Sequence, residues 1–288
     1  MEVHNAAENL PAEWDDVCKD NYALKREFLS FMEQANPCEQ QYYIFRDSDK
    51  KIDSVFMTFK KKKHNIAMFS PVRFSMDTTF IYVPLSVANP GLVLGEKTTC
   101  EVEDAITKMK GCKLILNLDR KVNFESFASG LTCSNILLDI RWNSFEEYLN
   151  CMRSNYRHRY KKAIKNSSSL SFRLLEDNSL FDDHLFGLYE QVFDGSKFQI
   201  EKLTKPFFQG KYSKIIVAKK DNRDVAFIQL IENDNVLVFG FIGMDYECNK
   251  QHDLYLNMLL KMVEYAIINN FERIDLGQTA DEAKLKLG

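Results

Sequence analysis

The chain has 288 residues, 45% of them hydrophobic and 27% charged, which is the make-up of an ordinary globular protein and excludes a disordered or fibrous one. That length suits two domains or one fused double unit. Its 38 basic and 41 acidic residues give a formal charge of −3, which excludes a global field for nucleic acid, so no DNA partner is expected.

Residues 1–12 read as a loose lead-in, and the start Met1-Glu2-Val3-His4-Asn5 has neither the basic nor the apolar part of a signal peptide. No apolar run approaches the roughly 20 residues of a membrane span, and the seven cysteines show no CxxC or zinc spacing. Reduced thiols and a cytoplasmic location are expected, with no metal. Asp20 offers an N-cap to a helix carrying Leu24, Phe28 and Phe31, and Pro37 lies beyond its end.

From Gln41 to Pro84 the pattern turns to short β-rich runs: 42–45, 54–59, 66–69 and 79–83. The lysine run Lys60–Lys63 reads as a solvated hairpin turn between two of them. A short helix over Glu101–Lys110 ends at Gly111, and Lys113–Leu118 and Ile136–Ile140 read as strands. Ser144 and Glu147 make a capping box for one long helix reaching about Asn166.

Within that helix, Leu149, Met152, Tyr156, Tyr160 and Ile164 form an apolar stripe. Arg153, Arg157, Lys161 and Lys165 form a basic one beside it, with six Arg/Lys and no acid between Arg153 and Asn166. Like charges four residues apart on a helix cost about 0.2–0.5 kcal/mol per pair, so an anionic partner would relieve them. A phosphorylated donor, tRNA or an anionic membrane surface fits; the plainer alternative is a solvated face.

Ser171–Leu175 reads as a strand, Phe181–Phe193 as a helix, and 195–210 as a connection broken by Pro206. Then come three strands, 214–219, 225–231 and 236–242, joined by tight polar turns into an antiparallel meander. Leu254–Ile268 is an amphipathic helix leading into the strand Arg273–Leu276. A faint echo runs between residues 106–119 and 265–275, each a helix, a short turn, a strand and an aspartate. It suggests two related α/β units in tandem.

A meander, a helix and a strand rejoining the sheet is the order of the GNAT fold. The end of the chain, with Asp275-Leu276-Gly277-Gln278-Thr279 and Lys284-x-x-Leu287-Gly288, resembles bacterial GNAT proteins of the BioF-like acetyltransferase group. That group is related to the Fem family of peptidoglycan interpeptide-bridge aminoacyltransferases. The basic helix from Arg153 to Ala163 is similar to one such proteins carry between their two GNAT-like halves. The resemblance implies an α+β fold with mixed sheets in tandem GNAT-like subdomains. The first would span 1–142, a basic connecting helix 143–168, and the second 169–288, with more chain expected after the terminal motif.

The resemblance also implies an N-acyltransferase that moves an acyl group from acetyl-coenzyme A or another acyl-coenzyme A to an amine acceptor. The alternatives are Fem-like transfer from aminoacyl-tRNA to a cell-wall precursor, or a non-catalytic GNAT-like binding module. In that fold the donor is held by backbone N–H groups where the last meander strand splays from the next. This points to Phe239, Gly240, Phe241, Gly243 and Met244, unless the glycines only mark a bulge. Where GNAT enzymes carry a glycine-rich diphosphate loop, this chain reads Asp245–Asp253 with three acids, one lysine and no glycine, a poor place for a phosphate. Asp275 and Tyr255 are the candidates for proton transfer. Arg153, Arg157, Lys161, Gln278 and Lys284 are the candidates for binding substrate.

Overall fold

The computed structural model describes residues 1–67, 72–85, 87–196, 199, 201–279 and 281–288, without the side chain of residue 281. The chain divides into two compact units, Met1–Thr132 and Cys133–Gly288.

In unit 1, β1 (Glu2–His4) precedes α1 (Glu13–Val17) and α2 (Arg26–Ala35). The long strands β2 (Gln41–Arg46), β3 (Ile52–Asn65) and β4 (Ser75–Ile81) follow, then β5 (Leu92–Val93), α3 (Thr99–Lys108) and β6 (Cys112–Ile115). The sheet order is β1-β2-β3-β4-β6, with β5 on β3, and only β6 runs parallel to its neighbour.

The amino-terminal segment is therefore no loose lead-in. Glu2–His4 completes the β2 edge antiparallel, and the Trp14 side chain is buried with its indole N–H donating to Leu24 O at 2.6 Å. The cap at Asp20 moves by one residue: Asn21 Oδ1 accepts from Ala23 N, and the helix proper starts at Arg26. Lys60–Lys63 belongs to β3 rather than to a turn. Past Thr58 that strand has no β2 partner, and there Lys60, Lys62 and Lys63 are exposed while His64 is buried. Of the run expected as a strand over 66–69, Ile66 and Ala67 lie in a turn, and 68–69 fall outside the described residues.

Unit 2 contains β7 (Leu137–Asp139), α4 (Phe145–Cys151), α5 (Ser154–Asn166), β8 (Ser171–Leu174), α6 (Asp183–Asp194) and α7 (Lys205–Phe208). The meander is β9 (Lys214–Lys220), β10 (Arg223–Asn233) and β11 (Val236–Met244). After it come α8 (Tyr246–His252), α9 (Leu254–Ile268), β12 (Arg273–Asp275) and α10 (Asp281–Lys284). The sheet runs β7-β12-β11-β10-β9-β8, with β11 and β12 parallel. The β9–β10 turn places Asp221 and Asn222 at φ +46° and +64°, the type I′ geometry that suits a two-residue hairpin.

The single long helix expected from Ser144 is two. Ser144 caps α4, its Oγ accepting from Glu147 N at 3.1 Å. Met152 and Arg153 are then extended, with ψ of 147° and 144°. Arg157 Nη1 donates to Asn150 O and Met152 O and so satisfies carbonyls left open at the end of α4.

One face of the sheet packs on α9, with Ala226, Ile228, Leu230, Leu237, Ile242 and Met244 against Leu256, Leu259, Leu260 and Val263. The other carries a knot of aromatic rings in which Phe208 meets Phe181, Tyr189, Phe227 and Phe241 at 4.8–6.0 Å. The echo seen in the sequence is real at the level of topology. β2-β3-β4-α3-β6 and β9-β10-β11-α9-β12 are each a meander, a helix and a strand parallel to the third meander strand.

Candidate functional site: a forked strand pair in unit 2

β11 and β12 pair at Val236–Arg273, Leu237–Ile274 and Val238–Asp275 only. β11 then runs on to Met244 with no partner on that side among the described residues. On its other side the pairing with β10 slips: Ile228 faces Ile242 but Leu230 faces Phe239. Gly240 and Phe241 thus stand together opposite Gln229, a bulge that bends the strand as it leaves β12. The expected donor edge, Phe239 to Met244, is this bent, single-sided stretch.

Its two glycines have different reasons. A Cβ on Gly243 would lie 2.3 Å from Phe227 Cε1, 2.7 Å from Tyr189 N and 2.8 Å from Leu188 C, so its absence lets the α6 backbone close on the sheet. A Cβ on Gly240 would meet Gln229 O and Oε1 at 3.1 Å. Gln229 is only 1% exposed; its Nε2 donates to Ser213 Oγ at 2.9 Å, and its Oε1 is buried with no partner. A polar residue inside an otherwise apolar strand was the one signal in the sequence for it.

Asp275 occupies the vertex of the fork, but its Oδ1 accepts from Gly277 N at 2.8 Å and so closes its own turn. Gln278 Nε2 donates to Cys133 O at 2.7 Å. Lys284 is 3% exposed, donates to Gln278 O at 2.8 Å, and sets its ammonium 5.1 Å from the centre of the Phe239 ring. The structure therefore gathers Phe239, Gln278 and Lys284 at the fork, with Asp275 at its apex. Two tyrosines hold the segment beyond: Tyr148 donates to Leu287 O at 2.7 Å and Tyr160 donates to Lys286 O. Neither role was readable from sequence, since each pair is more than a hundred residues apart.

Tyr255 starts α9 with its backbone N–H donating to Asn249 Oδ1 at 2.8 Å. Burial pushes its hydroxyl up to about 12, so near neutrality it can only carry a proton, never lack one. The hydroxyl makes no hydrogen bond among the described residues.

The stretch that replaces the diphosphate loop is helix α8, and its start is already occupied. Asp245 Oδ1 accepts from Glu247 N and Cys248 N at 3.0 Å, placing the chain's own carboxylate where a helix end would receive an anion. In unit 1 a carboxylate stands just before α3, though it comes from β3 rather than from the helix's own cap. There Asp53 Oδ2 accepts from Lys97 N at 3.1 Å, and from Thr98 N and Thr98 Oγ1 at 2.9 Å.

Arg153, at the N-cap of α5, and Arg157 and Lys161 on that helix take no part in the fork's hydrogen bonds. Arg153, Arg159, Lys161, Lys162 and Lys165 are exposed and form no ion pair among the described residues. Tyr160 and Ala163 supply the buried side of the helix, while Ile164, expected in the apolar stripe, is 38% exposed. Among the described residues no three His, Cys, Asp or Glu side chains are grouped to hold a metal ion. No described helix is long and apolar enough to cross a membrane.

No protein-family model matches this chain, and no curated protein matches it in sequence. Solved structures do resemble it. L-PGS from Bacillus licheniformis superposes with a TM-score of 0.52 at 11% identity, over 96% of this chain and 78% of that one. FemX superposes with a TM-score of 0.53 at 12% identity, over 97% of this chain and 89% of that one. At such identities the likeness is one of fold. Together with the meander-helix-strand order found twice, it gives the chain a mixed α/β, GNAT-like fold, similar to those of L-PGS and FemX and built as a tandem pair.

Proposed function

We propose that the chain is an acyltransferase whose second unit holds an activated acyl group against β11 and passes it to an amine. The observation that carries this is the fork: a bulged strand leaving its parallel neighbour after three residue pairs, with a backbone edge free to bind. Free N–H groups on such an edge donate to an acyl carbonyl as it gains negative charge. Lys284 places a buried cation beside the same edge. Tyr255, held protonated by burial, is the candidate to give a proton to the leaving group, and the acceptor amine loses one to solvent or to Asp275.

For the donor, an aminoacyl ester on tRNA fits better than acyl-coenzyme A. Asp245 fills the position from which a diphosphate would be gripped, and α5 with its N-cap Arg153 presents five exposed cations, without ion pairs among the described residues, suited to a polyanion. Titrating the full chain with aminoacylated tRNA, deacylated tRNA and acetyl-coenzyme A, and reading the melting temperature, tests this. Both tRNAs should stabilise it, and the stabilisation should shrink with salt. A shift with acetyl-coenzyme A alone would reverse the donor assignment. A shift with none of the three would remove the enzyme reading.

A further inference from the structure

The ring-lined face of the unit 2 sheet carries a polar pair inside apolar surroundings. Along β10, Ala226, Ile228 and Leu230 face α9, so by strand alternation Phe227, Gln229 and Ile231 face the rings. Gln229 is 1% exposed and Ser213 8%. Gln229 Nε2 donates to Ser213 Oγ at 2.9 Å, which holds the carboxamide and leaves its Oε1 buried without a hydrogen bond. A buried acceptor left unsatisfied is destabilising, and an apolar side chain of similar size would avoid the cost.

That oxygen lies beside the proposed donor edge. The bulged pair Gly240 and Phe241 stands opposite Gln229, and a Cβ on Gly240 would come within 3.1 Å of Oε1. Glycine here keeps the surface of β11 open next to the orphan acceptor. Phe241 is half-buried and meets Tyr189, Phe207 and Phe208 edge-on at 5.9–6.0 Å. It is the neighbour able to swing aside for an incoming group, as side chains at binding sites commonly do.

The group that suits Oε1 is a hydrogen-bond donor that also suits rings. A buried water ordinarily binds two to four polar partners, whereas an amine cation is attracted by aromatic faces and donates to a carboxamide oxygen. An acetyl group has no nitrogen beside its carbonyl; an aminoacyl ester carries one on the adjoining carbon. We propose that Gln229 is the specificity-determining residue for the acyl donor, its Oε1 receiving the α-amine of an aminoacyl ester held on β11. This rests on the acyltransferase reading above and narrows its donor to α-aminoacyl groups.

The test is binding of the full chain to three probes: total tRNA charged with a mixture of amino acids, the same tRNA deacylated, and charged tRNA with its amine acetylated. The parent should bind charged tRNA roughly tenfold more tightly than either of the others, the scale of one hydrogen bond to a charged group. Gln229→Met keeps the volume and removes the acceptor, and should abolish that preference. Ser213→Ala releases the carboxamide and should reduce it. K161Q/K165Q on α5 should weaken all three probes alike and keep the preference. A purely structural Gln229–Ser213 pair would lower the melting temperature of the first two variants and leave the preference in place, which overturns the assignment. A parent that binds charged and deacylated tRNA equally would also overturn it, while the donor reading would stand. Binding of none of the three would remove the donor reading and this assignment with it.

Discussion

The two glycines of β11 make opposite demands, and exchanging each for alanine separates them. At Gly243 the new methyl would sit 2.3 Å from Phe227 Cε1 and 2.7–2.8 Å from α6 backbone atoms, where carbon contacts normally settle at about 3.5–4.0 Å. Phe227 is buried among rings and α6 is a regular helix, so neither can give way locally and α6 must lift off the sheet. Overpacking of this kind costs about 1–3 kcal/mol, and the backbone entropy recovered by replacing glycine returns about 0.5–1 kcal/mol. Because two of the three close atoms belong to a helix, the upper part of the range applies, leaving about 2 kcal/mol. For a unit of this size that lowers the melting temperature by about 4–8 °C. At Gly240 the nearest atoms, Gln229 O and Oε1, are 3.1 Å away; a turn of the carboxamide relieves Oε1 and a shift of a few tenths of an ångström relieves the carbonyl, for less than about 1 kcal/mol. Urea unfolding of both variants is the assay. If G240A costs as much as G243A, the account of α6 resting on Gly243 is wrong.

Other outcomes follow from single contacts. Asp245→Ala removes the carboxylate that caps α8 and should cost about 1 kcal/mol in urea unfolding; an unchanged midpoint would show that solvent caps the helix equally well. Tyr148→Phe should cost about 0.5–1.5 kcal/mol through the loss of its bond to Leu287 O, and amide exchange in residues 284–288 should quicken. Lys284→Met keeps the volume near Phe239 and removes the cation; the fold should survive while acyl transfer falls, and full activity would exclude Lys284 from the chemistry. Burial raises the hydroxyls of Tyr160, Tyr189 and Tyr255 to about 12, so their contribution to stability is complete below about pH 10, the unfolded value, and is lost as pH rises through 12. Tyrosinate absorbance from these residues should therefore appear together with loss of far-UV circular dichroism, and ionisation with the fold intact would contradict their burial.

What was legible in the sequence was whatever repeats. α9 was bounded correctly at Leu254 and Ile268 because four turns of apolar spacing leave little choice. The three meander strands were found for the same reason, with turns set by Asp and Asn. β1 escaped because three residues on a sheet edge carry no period. The break between α4 and α5 escaped because the apolar spacing runs through it, while only the backbone at Met152 and Arg153 departs. Lys60–Lys63 misled because charge was taken as the mark of a turn, although Lys60, Lys62 and Lys63 stand exposed on a strand that continues past β2.

At the site, Gly240 and Gly243 were visible, but their separate duties depend on Gln229 and on α6, which sequence spacing does not connect. Arg157 was expected among the substrate-binding residues, and the structure spends its guanidinium on the end of α4. Lys284 and Gln278 were expected from the resemblance to bind substrate; the structure shows Lys284 bonded to Gln278 O beside the Phe239 ring.

The bulge at Gly240 and Phe241 also sets the phase of β11. Before it, odd-numbered Leu237 and Phe239 face α9; after it, even-numbered Ile242 and Met244 do. One inserted residue has thus been counted into the strand. Deleting either Gly240 or Phe241 would remove the bulge and restore plain alternation, with Phe239 and Ile242 still on the α9 face. Inserting a residue into either regular half would instead turn the side chains beyond it toward the ring-lined face. The two-residue turn at Asp234 carries no such constraint, because added loop length there leaves the pairing of both strands intact. Tolerance to insertion should therefore change from permissive at the turn to forbidden in the paired strand that follows it.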